Sequence, residues 1–222
     1  MTLLSPQAGY CKWATYYDSG PNPLIALEER VLKSLLNVKA GDRVLDLATG
    51  TGRWLSYTVG LGADAIGLDQ SPGMLAVAAR KPGLLGRLTH GDLCKLPFPN
   101  DFAELAICSF SLSYVEDVFT AIRECARVAR RVILSDMHPA AMEAGWSRSF
   151  HAGVESFQLE HFCHSKALLF DAARSAGLDL QWCVEAPFAE ADRSAFAVAG
   201  RTGVFDSLRT VPAILISAWG RT

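Results

Sequence analysis

An acidic residue set in an apolar strand and followed by a run of small residues is the first chemistry that this chain offers. Val44-Leu45-Asp46-Leu47-Ala48-Thr49-Gly50-Thr51-Gly52-Arg53-Trp54 passes from a β-rich stretch into a glycine turn, and a helical pattern starts directly after it. Glycines at 50 and 52 let the backbone approach a ligand closely, and the start of the helix presents free N–H groups. Such turns lie at the carboxyl ends of the strands, where open α/β sheets bind their ligands. Two further acids stand at corresponding places. Asp69 closes the run Ile66-Gly67-Leu68-Asp69, where a carboxylate can accept both hydroxyls of a ribose. Asp92 lies in His90-Gly91-Asp92-Leu93, after a third short β-rich run.

The pattern does not suit a phosphate ligand. A G-x-G-x-x-G fingerprint needs a third small residue at position 55, which is Leu55, and it gives no role to Asp46. The G-x-x-x-x-G-K-[ST] loop is absent from the chain. An acid two residues before a small-x-Gly-x-Gly turn resembles instead the signature of the class I S-adenosylmethionine-dependent methyltransferases. Ala48 stands where that family usually has its first glycine, a departure that a small side chain should tolerate. The segment Tyr16-Tyr17-Asp18 and the turn Thr49–Arg53 are most similar to the ubiquinone/menaquinone-biosynthesis and small-molecule branch.

The resemblance implies S-adenosylmethionine as cofactor, S-adenosylhomocysteine as product, and methyl transfer to an O, N, S or C atom of a small molecule. It places Tyr17, Asp46, Ala48, Thr49, Gly50 and Gly52 around the ligand, with Asp69 and Gln70 at the ribose. Met74 would lie against adenine, or else be a core methionine. Asp92 would meet the adenine amino group and the Leu93 amide a ring nitrogen, the lesser alternative being that Asp92 caps a turn. Ser109 and Phe110, at the end of Leu105–Phe110, would border the methionine end and the methyl group. The Asn/Asp-Pro-Pro-Tyr/Phe motif of amino-directed nucleic-acid enzymes is replaced by Cys108-Ser109-Phe110-Ser111, and the paired glutamates of protein arginine enzymes are not visible. One alternative is a member of the fold that binds the cofactor without methylating. A nicotinamide-dependent oxidoreductase is disfavoured by Asp46 and Leu55.

A base for the acceptor is sought among the histidines. Four of the five, His138, His151, His161 and His164, fall between positions 138 and 165. No H-E-x-x-H motif is present and no metal is expected. A histidine can take a proton from a hydroxyl or protonated amine, and His138 and His161 are the candidates, against a purely structural role for each.

These residues need a scaffold. β-rich runs at Arg43–Leu47, Ala63–Leu68, Arg87–His90, Glu104–Ser109 and Val132–Met137 alternate with helical patterns near 52–60, 72–80 and 117–129. A helix near 166–176 and strands at Leu178–Glu185 and Ala213–Trp219 follow. The expected fold is α/β, a doubly wound, Rossmann-like, seven-stranded and mostly parallel sheet with helices on both faces. Asn22 and Pro23 start an amphipathic helix with apolar Leu24, Leu27, Val31 and Leu35, in whose stripe Glu28 is a misfit. Ahead of it, Tyr10, Trp13, Tyr16 and Tyr17 either plug the core's edge or cover a ligand. The long connection after the fifth strand reads as a hairpin-like lid with a turn at Ala152-Gly153-Val154-Glu155.

The expected organisation is one domain over 1–222: a helical cover (1–36), a cofactor core (40–138), a lid (138–165), and a C-terminal helix and strands (166–222). Lys and Arg total 21 against 23 Asp and Glu, a balance unlike that of a dedicated nucleic-acid binder. No membrane-length apolar run or leader-like start is seen, and the six cysteines form no C-x-x-C pair, so a cytoplasmic monomer or homodimer is expected.

Overall fold

The computed structural model describes residues 2–20, 22–152, 155–200 and 202–221. Strand β1 (Thr2–Leu4) and helices α1 (Pro6–Trp13) and α2 (Pro23–Leu35) lead into alternating β2 (Arg43–Leu47), α3 (Arg53–Gly60), β3 (Asp64–Asp69), α4 (Pro72–Ala78) and β4 (Leu88–His90). There follow β5 (Ala103–Ser109), α5 (Val118–Val128), β6 (Ala129–Met137), α6 (Pro139–Glu143), β7 (Ser149–Ala152) and β8 (Glu155–Leu159). The chain closes with α7 (Lys166–Ser175), β9 (Asp179–Ala186), α8 (Arg193–Val198), α9 (Phe205–Leu208) and β10 (Ile214–Gly220).

The main sheet runs β4-β3-β2-β5-β6-β10-β9, and only β10 opposes its neighbours. β2 leaves β3 on one side and β5 on the other, so the strand order reverses at the glycine turn, and a crevice opens at the carboxyl ends there. Alternation along the strands fills both faces. Leu45, Leu47, Ala106 and Leu215 pack under α5 and α7 through Val118, Ile122, Leu169 and Phe170. Val44, Leu105, Ile107 and Ile214 pack on the other face against α2, α3, α8 and α9 through Leu27, Leu55, Phe196 and Phe205. Two-faced burial explains why these strands read as nearly continuous apolar runs. Asn22 starts α2, as expected, and caps it by accepting from Leu24 N at 3.0 Å; Ser71 caps α4 by accepting from Met74 N at 3.3 Å.

The lid is a hairpin, as expected, with Phe150 opposite Phe157; Gly153 and Val154 of its expected turn lie outside the described residues. β1 adds to it in parallel, giving a three-stranded sheet β1-β8-β7. With α1 this sheet forms a separate small core in which Trp13 stacks on Phe150 at 4.7 Å and Phe150 on Phe157 at 5.3 Å. The strand β1 and the short helices α6, α8 and α9 had no counterpart in the sequence reading. Each is too short to display a period, and α8 and α9 are held by the contacts of single phenylalanines.

Candidate active site

The floor of the crevice is built by acids that hold backbone amides in place. Asp46, 2% exposed, accepts from the Thr49 hydroxyl at 2.5 Å and from Leu55 N at 2.8 Å, tying the strand end to the first turn of α3. Burial pushes its carboxyl up to about 6, against the hydrogen bonds from Thr49 and Leu55. The turn between them uses left-handed backbone at Ala48, Gly50 and Gly52, with φ of 56°, 57° and 83°. Their roles differ. A Cβ on Gly50 would meet nothing within 4 Å, whereas one on Gly52 would meet Leu84 Cδ1 at 2.6 Å. Gly50 therefore opens onto the crevice, and Gly52 lets the turn pack on its neighbours.

Asp69, at the end of β3, accepts from Gly50 N at 2.7 Å and from Ser71 N at 2.8 Å, joining the glycine turn to the start of α4. Its carboxyl is raised by burial and partly restored by those amides. Asp92 accepts from Cys94 N at 2.8 Å, so it shapes its own turn as well as facing the crevice. Beyond β5, Phe110 adopts φ of 49° and donates its N–H to Ser135 O at 2.7 Å, an unusual backbone state for a bulky residue.

Glu28 explains itself here. This fully buried side chain of α2 accepts from Ser109 Oγ at 2.7 Å and Trp54 Nε1 at 3.2 Å, and also from Arg53 and Ser135 Oγ. It pins α2, α3, β5 and β6 together beneath the crevice, and Arg53 in turn donates to Ser109 Oγ at 3.1 Å. The charge in an apolar stripe was the visible signal; its four partners come from three other elements.

The resulting cavity spans about 1050 Å³ including its mouth. Its wall brings together Tyr17, Asp46, Ala48, Thr49, Gly50, Asp69, Gln70, Met74, Asp92, Leu93, Ser109 and Phe110; Gly52 is not on it. Tyr10 joins them, one of the aromatics for which the sequence left open a ligand cover, as do Arg53 and Tyr114, which sequence reasoning had not placed there. The aromatic N-terminal segment thus lies over the crevice. It is latched by Asp18, which accepts from Thr51 Oγ1 at 2.9 Å and pairs with Lys81 at 2.7 Å. Burial pushes the Tyr10, Tyr17 and Tyr114 phenols up, so they stay protonated.

Neither candidate histidine is on the wall. His138 caps α6 by accepting from Ala140 N at 3.1 Å through Nδ1, while Nε2 lies 2.8 Å from Glu185. With Nε2–H donating, the one lone pair of the neutral ring is occupied. His161 Nδ1 lies 3.2 Å from Leu159 O, and His164 Nε2 lies 2.8 Å from Val115 O. Among the described residues no three His, Cys, Asp or Glu side chains converge as a metal site, and no helix is long and apolar enough to cross a membrane.

The profile of a methyltransferase domain matches residues 45–132. A 2-phytyl-1,4-naphtoquinone methyltransferase from Synechococcus elongatus is 36% identical over 156 residues, covering 62% of this chain and 67% of that protein. A demethylmenaquinone methyltransferase from Staphylococcus saprophyticus is 35% identical over 120 residues, covering 49% of this chain and 51% of that one. The chain thus spans about half the length of several curated relatives that it matches. Among solved structures, an S-adenosylmethionine-dependent methyltransferase from Mesorhizobium loti superposes with a TM-score of 0.67 at 24% identity, covering 87% of this chain and 97% of that one, a likeness of fold.

Proposed function

The chain belongs to the class I S-adenosylmethionine-dependent methyltransferases, and from that premise we propose that it transfers the methyl group of S-adenosylmethionine to a small, flat, partly apolar molecule. The observation that carries the proposal is Asp69. It stands at the strand-order reversal, held by the Gly50 and Ser71 amides, on one wall with the glycine turn and Asp92. A carboxylate so placed suits the ribose hydroxyls. Buried Met74 would support the adenine ring, while Asp92 and the Leu93 amide would read its edge. Gly50 leaves room for the ligand beside the turn, and Ser109 and Phe110 would border its sulfur end.

When bound, the cofactor supplies an electrophilic methyl carbon on a sulfonium. The protein's main task is then orientation, keeping an acceptor atom about 3–3.5 Å from that carbon and excluding water. Tyr10, Tyr17, Phe110 and Tyr114 offer flat apolar surface for such an acceptor, in keeping with the naphthoquinone- and menaquinone-type names of the relatives. Since neither His138 nor His161 is on the wall, and both His138 nitrogens and His161 Nδ1 are engaged elsewhere, the proposal assigns neither as the base. It treats 1–222 as one domain, with 1–36 and 138–165 as covers. It places the protein in the cytoplasm, in keeping with six free cysteines, two of them buried.

The test is an acceptor screen with methyl-labelled S-adenosylmethionine and phenolic, naphtholic and quinol compounds, read by mass spectrometry. Acceptor-dependent release of S-adenosylhomocysteine above the protein-free rate is expected. Cofactor binding without turnover on any acceptor would instead support a non-methylating member of the fold.

A further inference from the structure

Arg148, just before β7, has no part in the cofactor site, yet it is the least satisfied polar side chain in the cover. It is 3% exposed, and Nε, Nη1 and Nη2 all lack a hydrogen-bond partner. Its guanidinium carbon lies 4.5 Å from the centre of the Phe110 ring. A buried guanidinium is ordinarily met by a carboxylate or carbonyls, and one left without them is costly. Asp136 is close enough for its charge to act on Arg148. Its carboxylate, however, is occupied by Ser113 N at 2.8 Å, Ser113 Oγ at 3.1 Å and Met137 N at 2.8 Å. Among the described residues no ion pair reaches Arg148.

The place of this unmet charge is informative. Asp69 and Asp92 mark the crevice on its β3–β4 side, whereas Phe110 and Tyr114 follow β5 on the other side of the glycine turn. The Tyr114 hydroxyl is likewise buried without a partner in hydrogen-bonding geometry. Four of the five buried polar atoms without a hydrogen-bond partner among the described residues thus lie on the side that the cofactor-binding acids leave free; the fifth, Arg53 Nη1, is 3.6 Å from the Glu29 carboxylate. Burial works against the charge of Arg148, while the nearby Asp136 favours it, and a guanidinium keeps its proton in a protein.

We propose that Arg148 is the specificity residue of the acceptor site, and that the acceptor is an aromatic carboxylate whose two oxygens take the guanidinium fork while its ring packs among Phe110, Tyr17 and Tyr114. Three free nitrogens in one plane suit a bidentate carboxylate better than a lone carbonyl. Arg148 stands behind Phe110 and Tyr114 rather than on the open wall, so the acceptor reaches it as α1 and the β1-β8-β7 sheet part. The proposal rests on the methyltransferase function above and narrows its substrate class.

The test uses 2-naphthoate and its neutral counterpart 2-naphthamide, titrated calorimetrically into the protein saturated with S-adenosylhomocysteine. Naphthoate should bind at least about tenfold more tightly than naphthamide. Arg148→Met should abolish that preference while S-adenosylhomocysteine affinity stays within about twofold, and Arg148→Lys, which lacks the fork, should retain only part of it. Should Arg148→Met fail to fold, the wild-type comparison and Arg148→Lys still decide. Equal binding of the two probes, no binding of naphthoate, a preference that survives Arg148→Met, or a loss confined to S-adenosylhomocysteine would overturn the proposal. Wild-type protein that does not bind S-adenosylhomocysteine would overturn the cofactor site too; binding without a carboxylate preference overturns the Arg148 assignment alone.

Discussion

The floor and the cover of the cavity treat their polar groups in opposite ways. On the floor, Asp46, Asp69 and Glu28 are each met by donors of the chain itself, from Thr49 and Leu55, from Gly50 and Ser71, and from Arg53, Trp54, Ser109 and Ser135. In the cover Arg148, and packed against the cover the Tyr114 hydroxyl of the turn after β5, have no such partners. The floor rests on the two large cores of the sheet, whereas the cover rests on its own cluster of Trp13, Phe150, Phe157 and Leu159. The difference separates a surface organised before any ligand arrives from one that the ligand completes. Preorganised dipoles need no rearrangement on binding, and unmet donors in a small separate layer define what that layer should accept.

Substitutions should therefore act with opposite sign in the two regions. Glu28→Ala takes the nearer of two counter-charges from the half-buried Arg53, leaving it only Glu29 at 3.6 Å, and leaves Ser109, Ser135 and Trp54 without an acceptor. Urea unfolding should show a loss of about 3–5 kcal/mol, and a loss below about 1 kcal/mol would mean that the floor is not held by this network. The next effect is on pH dependence. Folded Asp46 keeps its proton to about 6, against an ordinary value of 3.8. The folded state binds more protons between these values, so this contribution is present below about 4 and lost as pH rises through about 6. Asp69 and Asp136 are raised too and act in the same direction. Asp46→Asn removes the ionisation, and its stability relative to wild type should rise by about 2 kcal/mol between pH 4 and pH 7 in the same unfolding assay.

In the cover, Arg148→Met replaces an unpartnered buried charge by an apolar chain of similar length. The lost contact with Phe110 offsets part of the gain, so the ligand-free protein should become more stable by about 1 kcal/mol. Thermal melting reads this directly, and a clear drop in Tm would show that Arg148 braces the cover. The smallest effect belongs to the turn. Ala48 holds a left-handed backbone at φ of 56°, and Ala48→Gly should relieve about 0.5–1 kcal/mol, seen as a rise in Tm.

The same contrast governs what could be read in the sequence. The strands and the acid-glycine pattern were legible because alternation, caps and turn residues are local, and β2 runs from Arg43 to Leu47 as its residues suggested. Glu28 was legible only as an anomaly, since its donors lie 25 to 107 positions away. The lid histidines cluster along the chain, but the fold disperses them, sending His138 to Glu185 on β9 and His164 to the Val115 carbonyl. Arg148 carried no local mark at all, because its significance lies in what does not surround it. The pairing of β1 with β8 joins residues such as Leu3 and Gln158, which no local pattern connects.

The central claim is that the floor is a site for S-adenosylmethionine and its product. Calorimetric titration of S-adenosylhomocysteine tests it most directly, with wild type and Asp69→Ala side by side. The account predicts micromolar-range binding, of order 8 kcal/mol, to the wild type. Asp69→Ala should weaken it about 100-fold, since the ribose loses an anionic acceptor and the Gly50 and Ser71 amides lose theirs. Folded wild-type protein that gives no binding heat, or an Asp69→Ala variant that binds as tightly as wild type, would contradict it.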